Sequence, residues 1–345
     1  MRLPGGDTSP DSNTYIAMDE LQNILRTLGF SLEERQPHLR GERRVFAAGK
    51  YVLFGTRDAD HVRVVIKASA VADGIKEIEQ ERTCRTALDT IRFAYGTFSS
   101  PEELLFTRKD GYTIQVTRFI EQNKLFLERP ISEQFSFALK GLKAMEAAHA
   151  TTYEHLRSVR GIFPMIDAHA YSTTFKNSAE KAWSQFPDTK GVLAEALQEM
   201  EQQHDDIERY CGFLTHFDFT PQNIRIDDNT MYLLDHASLR FGSKHESWAR
   251  FINFMVLYNI ELSNSLVQYM HLNRAPEEAA SLRLMRVFRL GELIAHHVRV
   301  AAATKGDLHK LSTTRVAFWN DVLTSVLDDV SVPEGLIATY KATRD

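Results

Sequence analysis

Short runs of β-branched and apolar residues, bounded by turn-forming residues, mark strands in the first third of the chain. The predicted strands occupy residues 44–48, 51–55, 62–68, 103–108 and 112–119. Residues 18–28 and 73–91 instead place apolar side chains every three to four positions, which predicts an amphipathic helix before the strands and another among them. This part of the chain is therefore expected to form a small antiparallel β-sheet with few helices.

After residue 121 the helical period dominates. The predicted helices occupy residues 132–151, 177–186, 191–210, 246–272, 276–303 and 311–329. Asn177 or Ser178 is a candidate N-cap for the second of them. The fold class that follows is α+β. The expected divisions are a tail and helix over 1–40, a β-rich unit over 41–121 and a helical unit over 122–345.

One β-hairpin interrupts the helical part, with short apolar runs at Ile224–Ile226 and Met231–Leu234. Because a tight hairpin brings its two ends together, we expect Asn223 and Asp235 to be neighbours, with Asp218 nearby. One carboxylate and one amide oxygen form a hard oxygen site, which suits Mg²⁺ that also keeps water and phosphate ligands. A second carboxylate beside it can orient a hydroxyl group and accept its proton.

Composition and charge narrow the class of protein. The chain has 345 residues, 41 of them basic and 46 acidic, and its net charge of -5 argues against a nucleic-acid partner. The longest apolar stretch, around residues 251–260, is far below the ~20 residues of a membrane span. The first 13 residues show no apolar signal core, and the two cysteines indicate a reducing compartment, so a cytoplasmic protein is expected. Cys84 lies in a helical pattern and Cys211 in a buried-looking run before a strand, which favours structural roles over nucleophilic ones.

His216 stands two positions before Asp218 and Asn223 five positions after it. The segment thus matches the phosphotransferase pattern H-x-D-x-x-x-x-N followed by a second metal-binding aspartate, here Asp235. It resembles the H-G-D-x-x-x-x-N signature of the aminoglycoside phosphotransferase and choline kinase-like group of protein-kinase-fold enzymes. The resemblance covers residues 44–260, approximately, and implies a protein-kinase-like two-lobe fold, with a small β-sheet lobe for nucleotide and a large helical lobe for catalysis and substrate.

The resemblance also implies roles for these residues. Asp218 would orient the acceptor hydroxyl and take its proton, and Asn223 and Asp235 would hold Mg²⁺ on the phosphates of ATP or GTP. His216 would hold the catalytic loop by packing and hydrogen bonding.

The fold that the resemblance implies also requires a lysine on the third strand and a glutamate in the following helix. Lys67 ends the run Val62 to Ile66, which resembles the V-A-I-K strand of kinases and places the lysine at the nucleotide phosphates. Helical phase puts both Glu77 and Glu81 near the inner face of the next helix. Glu81 is the preferred partner of Lys67, and Glu77 is the alternative.

Two more segments of the β-rich part are candidates for nucleotide contact under the same resemblance. Gly49 lies in the turn between the first two predicted strands. Because glycine has no side chain, the backbone there would come close to the phosphates and cover them. The turn is not a full glycine-rich loop. The segment after the fifth strand resembles the hinge that meets adenine, through backbone groups near Arg118 and Ile120.

The chain also departs from the pattern of the family that it resembles. Phe217 replaces the usual glycine after the motif histidine, and Asp235-His236-Ala237 stands where protein kinases have D-F-G. No Ala-Pro-Glu segment occurs near residues 240–250, which argues against a protein-kinase activation loop. Glu246 replaces a downstream aspartate and is a candidate to brace the catalytic loop.

The predicted activity is magnesium-dependent transfer of the γ-phosphate of ATP or GTP to a hydroxyl of a small molecule. The alternatives are a nucleotide-binding pseudokinase scaffold and a protein-serine kinase. Acidic residues of the helix over 191–210, together with Glu246 and Glu261, are candidates to line a cleft that attracts a cationic acceptor, such as an aminoglycoside or another amino sugar. If these acids are merely solvated, a neutral sugar, a nucleoside, a macrolide-like antibiotic or a choline-like alcohol remains open.

Overall fold

The computed structural model describes residues 12–36, 46–47, 49–91, 97–149, 157, 159–228 and 230–344. The chain divides into two compact units. The first comprises Met1–Arg85 and Ser100–Glu121, and the second comprises Thr86–Ser99 and Gln122–Asp345.

The first unit is built on an antiparallel sheet with the strand order β1-β3-β4-β6-β5, and β2 pairs with β3. Its strands are β1 (Phe30–Leu32), β2 (Phe46–Ala47), β3 (Lys50–Arg57), β4 (Arg63–Ser69), β5 (Glu103–Lys109) and β6 (Tyr112–Arg118). Helix α1 is Ser12–Thr27, and α2 is Ala72–Thr90.

One hydrophobic core joins α1 to this sheet. Alternate residues of β4, such as Val64 and Ile66, are fully buried because successive side chains of a strand point to opposite faces. Leu21, Ile24 and Leu25, at helical spacing on α1, are buried in the same cluster. The N-terminal helix therefore packs as part of the β-rich unit.

The second unit is mainly helical. Its helices are α3 (Ile131–His149), α4 (Ala168–Gln185), α5 (Lys190–Gln202), α6 (His204–Arg209), α7 (Glu246–Tyr258), α8 (Ile260–Asn273), α9 (Pro276–Ala303), α10 (Gly306–Leu327) and α11 (Glu334–Arg344). Two antiparallel strand pairs lie among them: β7 (Phe213–His216) with β10 (Leu239–Gly242), and β8 (Ile224–Asp227) with β9 (Thr230–Leu233).

The predicted cap at Asn177 or Ser178 is wrong. Helix α4 begins at Ala168, and the Asp167 carboxylate accepts a hydrogen bond from the amide of Ala170 at 2.8 Å. The polar run Ser172-Thr173-Thr174 near its start weakened the apolar period in the sequence, but the buried residues of the helix still follow helical spacing.

Two predicted helices are each divided in the structure. The helix over 191–210 breaks at Gln203, and the helix over 246–272 breaks at Asn259, whose side chain accepts from the amide of Leu262 and caps α8. Strands β1, β7 and β10 and helix α11 were not predicted. Most of the predicted strand over 44–48 and the end of the helix over 132–151 lie outside the described residues.

Within the described part of the chain, no helix is both long and apolar enough to cross a membrane. Both cysteines are free. Burial, the main cause in each case, raises the pKa of the Cys84 thiol to about 11 and that of Cys211 to about 12. Both thiols are therefore protonated near neutral pH, which fits structural roles and disfavours nucleophilic ones.

Candidate active site

The β8–β9 hairpin brings together the residues that flank it. Ile224 pairs with Leu233, and the amide of Leu234 donates to the carbonyl of Asn223 at 2.9 Å. Ser99 adds a backbone bridge along the outer side of β9, where its amide donates to Met231. Asn223 and the segment that leads into Asp235 are thus fixed side by side, as the sequence spacing predicts.

His216 joins the catalytic loop to the segment after the hairpin. Its side chain is completely buried, and Nε2 lies 3.2 Å from the carbonyl oxygen of Leu234 and 3.0 Å from that of Asp235. Because carbonyl oxygens only accept, Nε2 carries the proton and donates. The backbone amide of His216 donates to the hydroxyl of Ser247 at 3.0 Å. These contacts give His216 a structural position between Asp218 and Asp235.

Asp218 is held from two sides. The Nδ2 group of Asn223 donates to its backbone oxygen at 2.8 Å and to its Oδ2 at 3.0 Å. Arg250, on α7, donates from Nε to Oδ1 at 2.9 Å, and a second guanidinium nitrogen lies 2.8 Å from the same oxygen. Hydrogen bonds to a charged group are the stronger kind. The carboxylate is therefore oriented before any substrate binds.

Aromatic packing anchors the loop that carries Asp218. Phe219 is completely buried, and its ring lies 5.7 Å from that of Phe98 and 6.1 Å from that of Phe251, between centroids. The contact with Phe98 is edge-to-face and the contact with Phe251 is tilted, and such contacts fix ring orientation as well as bury area. Phe217 and Asp218, which lie between the buried His216 and Phe219, remain partly exposed.

Asp235 adopts a left-handed backbone conformation, with φ of 56° and ψ of 56°. Non-glycine residues seldom adopt this region, and it is maintained where surrounding structure fixes the chain. The hydroxyl of Ser238 donates to Asp235 Oδ2 at 2.8 Å, and the amide of Ser238 donates to its carbonyl. The bend directs the chain from β9 into β10.

Asn223 and Asp235 together offer two oxygen ligands, which suits Mg²⁺ with further water and phosphate ligands better than a metal bound by protein side chains alone. Across the described ranges, no group of three or more His, Cys, Asp or Glu residues is placed to hold a metal. Mg²⁺ commonly takes one or two protein oxygens and fills its shell with water and nucleotide phosphates. With Nδ2 of Asn223 directed at Asp218, the amide oxygen faces away from that carboxylate and can serve with Asp235 as such a pair.

In the first unit, Lys67 and Glu81 form an ion pair. The Nζ atom of Lys67, on β4, lies 2.5 Å from both carboxylate oxygens of Glu81, on α2, and both side chains are largely buried. Glu77, the alternative partner, pairs with Lys50 instead. Each glutamate of this helix face thus holds a different lysine.

The turn at Gly49 lies against the start of α2. Gly49 has φ of +78°, a conformation that favours glycine. The hydroxyl of Ser69 donates to its carbonyl oxygen at 2.7 Å. A Cβ at Gly74 would overlap the same oxygen, so the close approach requires glycine at position 74, whereas the positive φ favours glycine at position 49. Gly74 was missed in the sequence because an isolated glycine near a helix start carries no specific signal.

The backbone amides at the end of β6 differ in whether they already donate a hydrogen bond within the protein. The amide of Arg118 donates to the carbonyl of Glu102, and the amide of Phe119 donates to Arg63. Neither amide is therefore available to an adenine ring. No backbone hydrogen bond of Ile120 occurs among the residues the structure describes. Among the amides of this segment, that of Ile120 is therefore the one left for an adenine ring.

Two arginines lie near the partly exposed ring of Phe217, and a third binds the adjacent Asp218. The guanidinium carbons of Arg240 and Arg289 lie 4.9 Å and 5.9 Å from the ring centroid, and Arg250 is the arginine that binds Asp218. Sequence patterns carry no signal for this cluster, because its arginines come from three separate elements.

The expectation that Glu246 lines an acidic cleft is wrong. Glu246 is completely buried, forms an ion pair with Arg240, and accepts a hydrogen bond from the hydroxyl of Tyr171 at 2.8 Å. It ties α7 to β10 and α4, and its charge is compensated inside the protein.

The helix predicted over 191–210 contributes less free negative charge than its composition indicates. Glu199 pairs with Arg283, and Asp206 lies 4.0 Å from Arg209. Glu208 accepts a hydrogen bond from the amide of Ala168 at the start of α4. Several of these acids therefore stabilise the helical unit internally.

No protein-family model and no curated protein sequence matches the chain. Solved structures do match it. An apo thermostable mutant of aminoglycoside phosphotransferase APH(4)-Ia is 16% identical, with a TM-score of 0.62 over 89% of this chain and 97% of the other. Macrolide 2'-phosphotransferase type I is 15% identical, with a TM-score of 0.56 over 97% and 98%. Spectinomycin phosphotransferase APH(9)-Ia, in complex with ADP and spectinomycin, is 14% identical, with a TM-score of 0.51 over 94% and 98%.

At these identities the similarity establishes fold, and the site must be argued from this chain's own residues. The α+β class, the antiparallel sheet and the mainly helical second unit agree with the expectation from the motif. The chain has the protein-kinase-like two-lobe fold of the aminoglycoside and macrolide phosphotransferases.

Proposed function

We propose that this protein transfers the γ-phosphate of ATP or GTP to a hydroxyl group of a small molecule, with Mg²⁺. The observation that carries the proposal is the group around the β8–β9 hairpin: Asp218 oriented by Asn223 and Arg250, beside the segment that bears Asp235. The first unit adds the buried Lys67–Glu81 pair. A chance Asp-rich turn would not be expected to have such partners.

Asp218 acts on the acceptor. Its carboxylate accepts a hydrogen bond from the acceptor hydroxyl and aims the oxygen at the γ-phosphorus. It receives the proton as the new oxygen–phosphorus bond forms and the bond from the γ-phosphorus to the bridging oxygen breaks, so that ADP or GDP leaves. Because the transition state of phosphoryl transfer is loose, the oxygen needs little deprotonation beforehand. Orientation by Arg250 and Asn223 therefore matters more than strong basicity, and a carboxylate already bonded to arginine remains competent.

Asn223 and Asp235 would hold Mg²⁺, which when bound neutralises phosphate charge in the transition state. Lys67 would bind the phosphates of the nucleotide, and Glu81 keeps the lysine chain in place. The backbone of the Gly49 turn is free of side-chain bulk and would approach the phosphates, and Ile120 would meet the base. His216 holds the loop and takes no proton.

The acceptor is a hydroxyl compound. The structural neighbours are named for aminoglycosides, macrolides and spectinomycin, which makes hydroxyl-bearing antibiotics the first compounds to test.

The test is nucleotide-dependent ADP or GDP release over a panel of sugars, nucleosides, amino alcohols and antibiotics, with direct detection of phosphorylated product. Asp218→Asn should lower turnover by about 10²- to 10⁴-fold and leave nucleotide affinity intact, because the carboxylate acts on the acceptor. Lys67→Met should weaken nucleotide binding. Asp227→Asn, on an exposed aspartate of the same hairpin, is the matched control and should behave as wild type.

Full turnover by Asp218→Asn would disprove the role of that residue. Nucleotide binding without transfer to any acceptor would favour a pseudokinase scaffold. Efficient phosphorylation of generic protein substrates would favour a protein-serine kinase.

A further inference from the structure

An aromatic face runs along α7 away from Asp218. We define it as Arg250, Phe254 and Tyr258, which lie four residues apart and therefore on one side of the helix. The Arg250 guanidinium that binds Asp218 lies 6.0 Å from the centroid of the Phe254 ring. The Phe254 and Tyr258 rings are stacked, with centroids 4.4 Å apart and planes at 14°.

The outer end of this face is open. Tyr258 is 48% exposed, and Phe254 is partly exposed. By contrast, Trp248 and Phe251 on the same helix are buried. A stacked pair that begins beside the proposed catalytic carboxylate and ends in solvent offers a planar, apolar surface to a ligand.

The charges near Asp218 are compensated. Glu246 pairs with Arg240, Asp218 with Arg250, and Glu292 with Arg289. A polycation at this place would meet three guanidinium groups and no unpaired carboxylate among these six residues. Uncompensated negative charge is what would favour an aminoglycoside-like acceptor, and it is missing from this cluster.

We propose that the aromatic face is the acceptor subsite and that the acceptor is an uncharged hydroxyl compound with a planar ring. This inference rests on the proposed function and specifies its substrate class. The ring stacks on the open face of Tyr258, whose other face is covered by Phe254, while the hydroxyl reaches Asp218.

Helix dimensions set the size of this compound. At 1.5 Å per residue, Phe254 and Tyr258 lie about 6 Å and 12 Å along the axis from Arg250. A ring and a sugar joined by one bond span a comparable distance, whereas a simple alcohol does not. Nucleosides and aryl glycosides therefore have suitable dimensions.

Matched acceptors test the ring requirement. With saturating nucleotide and Mg²⁺, phenyl β-glucoside is compared with methyl β-glucoside, and uridine with ribose. The ring-bearing member of at least one pair should show a KM about tenfold lower than its partner, in line with typical base–aromatic stacking. Kanamycin should be a poor acceptor. Equal KM values within both pairs, or preferred and salt-sensitive turnover of kanamycin, would overturn the proposal.

Variants locate the subsite. Tyr258→Ala should raise KM about tenfold for the ring-bearing acceptor, while kcat, KM for nucleotide and KM for the ringless partner stay unchanged. Tyr258→Phe keeps the ring and should behave as wild type. Leu272→Ala, which removes an exposed apolar side chain from α8, controls for surface change. A Tyr258→Ala enzyme with wild-type KM for the ring-bearing acceptor would contradict the assignment.

Binding separates this inference from the proposed function. Saturation-transfer NMR, with the nucleotide site filled by a non-hydrolysable ATP analogue, should detect phenyl β-glucoside or uridine on wild type and lose the signal in Tyr258→Ala. Ring binding without any turnover would leave the subsite standing and disprove the kinase activity. Turnover of ringless acceptors without ring binding would support the kinase activity and disprove the aromatic subsite.

Discussion

At the residue scale, the orientation of Asp218 depends on partners from distant parts of the chain. Asn223 lies five positions away and Arg250 lies 32 positions away, yet they bind opposite oxygens of one carboxylate. The first partner belongs to the motif. The second was not foreseen, because an arginine in a predicted helix is usually a solvated side chain.

Replacing Arg250 tests this orientation. Arg250→Gln should lower kcat by about tenfold or more and leave KM for nucleotide unchanged, because the variant loses charge-assisted bonds to Asp218 Oδ1. Arg250→Lys keeps the charge without the fixed fork and should give an intermediate kcat. Steady-state kinetics on folded protein provides the measurement, with Arg299→Gln, on an exposed arginine, as control. Unchanged kcat in Arg250→Gln would show that the ion pair is only structural.

At the element scale, helix ends were the least predictable features. A cap is a local hydrogen bond, and several polar residues near a predicted boundary can provide it. Asp167 is the cap of α4 because tertiary packing buries Ala168, Tyr171 and Phe175 and so extends the helix toward its N-terminus. The sequence pattern alone placed the start nine positions too late.

The cap has a measurable effect. Asp167→Ala should lower the free energy of unfolding by about 1 kcal/mol, because the amide of Ala170 loses its acceptor. Asn177→Ala, in the exposed middle of the same helix, should change it by less than about 0.5 kcal/mol. Urea unfolding of both variants distinguishes the two positions. Greater loss in Asn177→Ala would contradict the assigned cap.

At the scale of the whole molecule, packing of α9 against α10 buries polar groups that carry charge when unfolded. Burial, with the nearby charges of Arg315 and His296, lowers the pKa of His297 to about 3. Arg286 is buried on the same helix and bonds to Asn253, on α7, through Nε at 3.1 Å. The helical core therefore favours the neutral form of its histidine.

The preference for a neutral His297 should make the folded protein less stable in acid. Below about pH 6.5, His297 binds a proton in the unfolded chain, whereas in the folded chain it stays neutral until the pH approaches about 3. Stability should therefore fall as pH is lowered through this range, with up to about 1.4 kcal/mol per pH unit from this group. Urea unfolding at pH 7, 6 and 5 should give a shallower dependence for His297→Gln. His271→Gln, an exposed histidine, should match wild type, and parallel curves for all three proteins would contradict the assignment.

The sequence by itself determined the local features. Alternation and helical spacing predicted most strands of the sheet and the helix α9, because side-chain periodicity reflects the geometry of each element directly. The hairpin predicted that Asn223 and Asp235 would converge, since its two ends must meet. Asp218 lies only five residues before Asn223, so its place near the hairpin also follows from the local sequence.

Only the tertiary structure decided which distant side chains meet. The choice between Glu77 and Glu81 required the packing of α2 on β4, because helical phase allowed both. The short strands β7 and β10 have too few residues for a periodic signal, and each is stabilised mainly by the other. The compensation of Glu246 by Arg240 likewise depends on packing, because composition counts charges without showing which of them are paired.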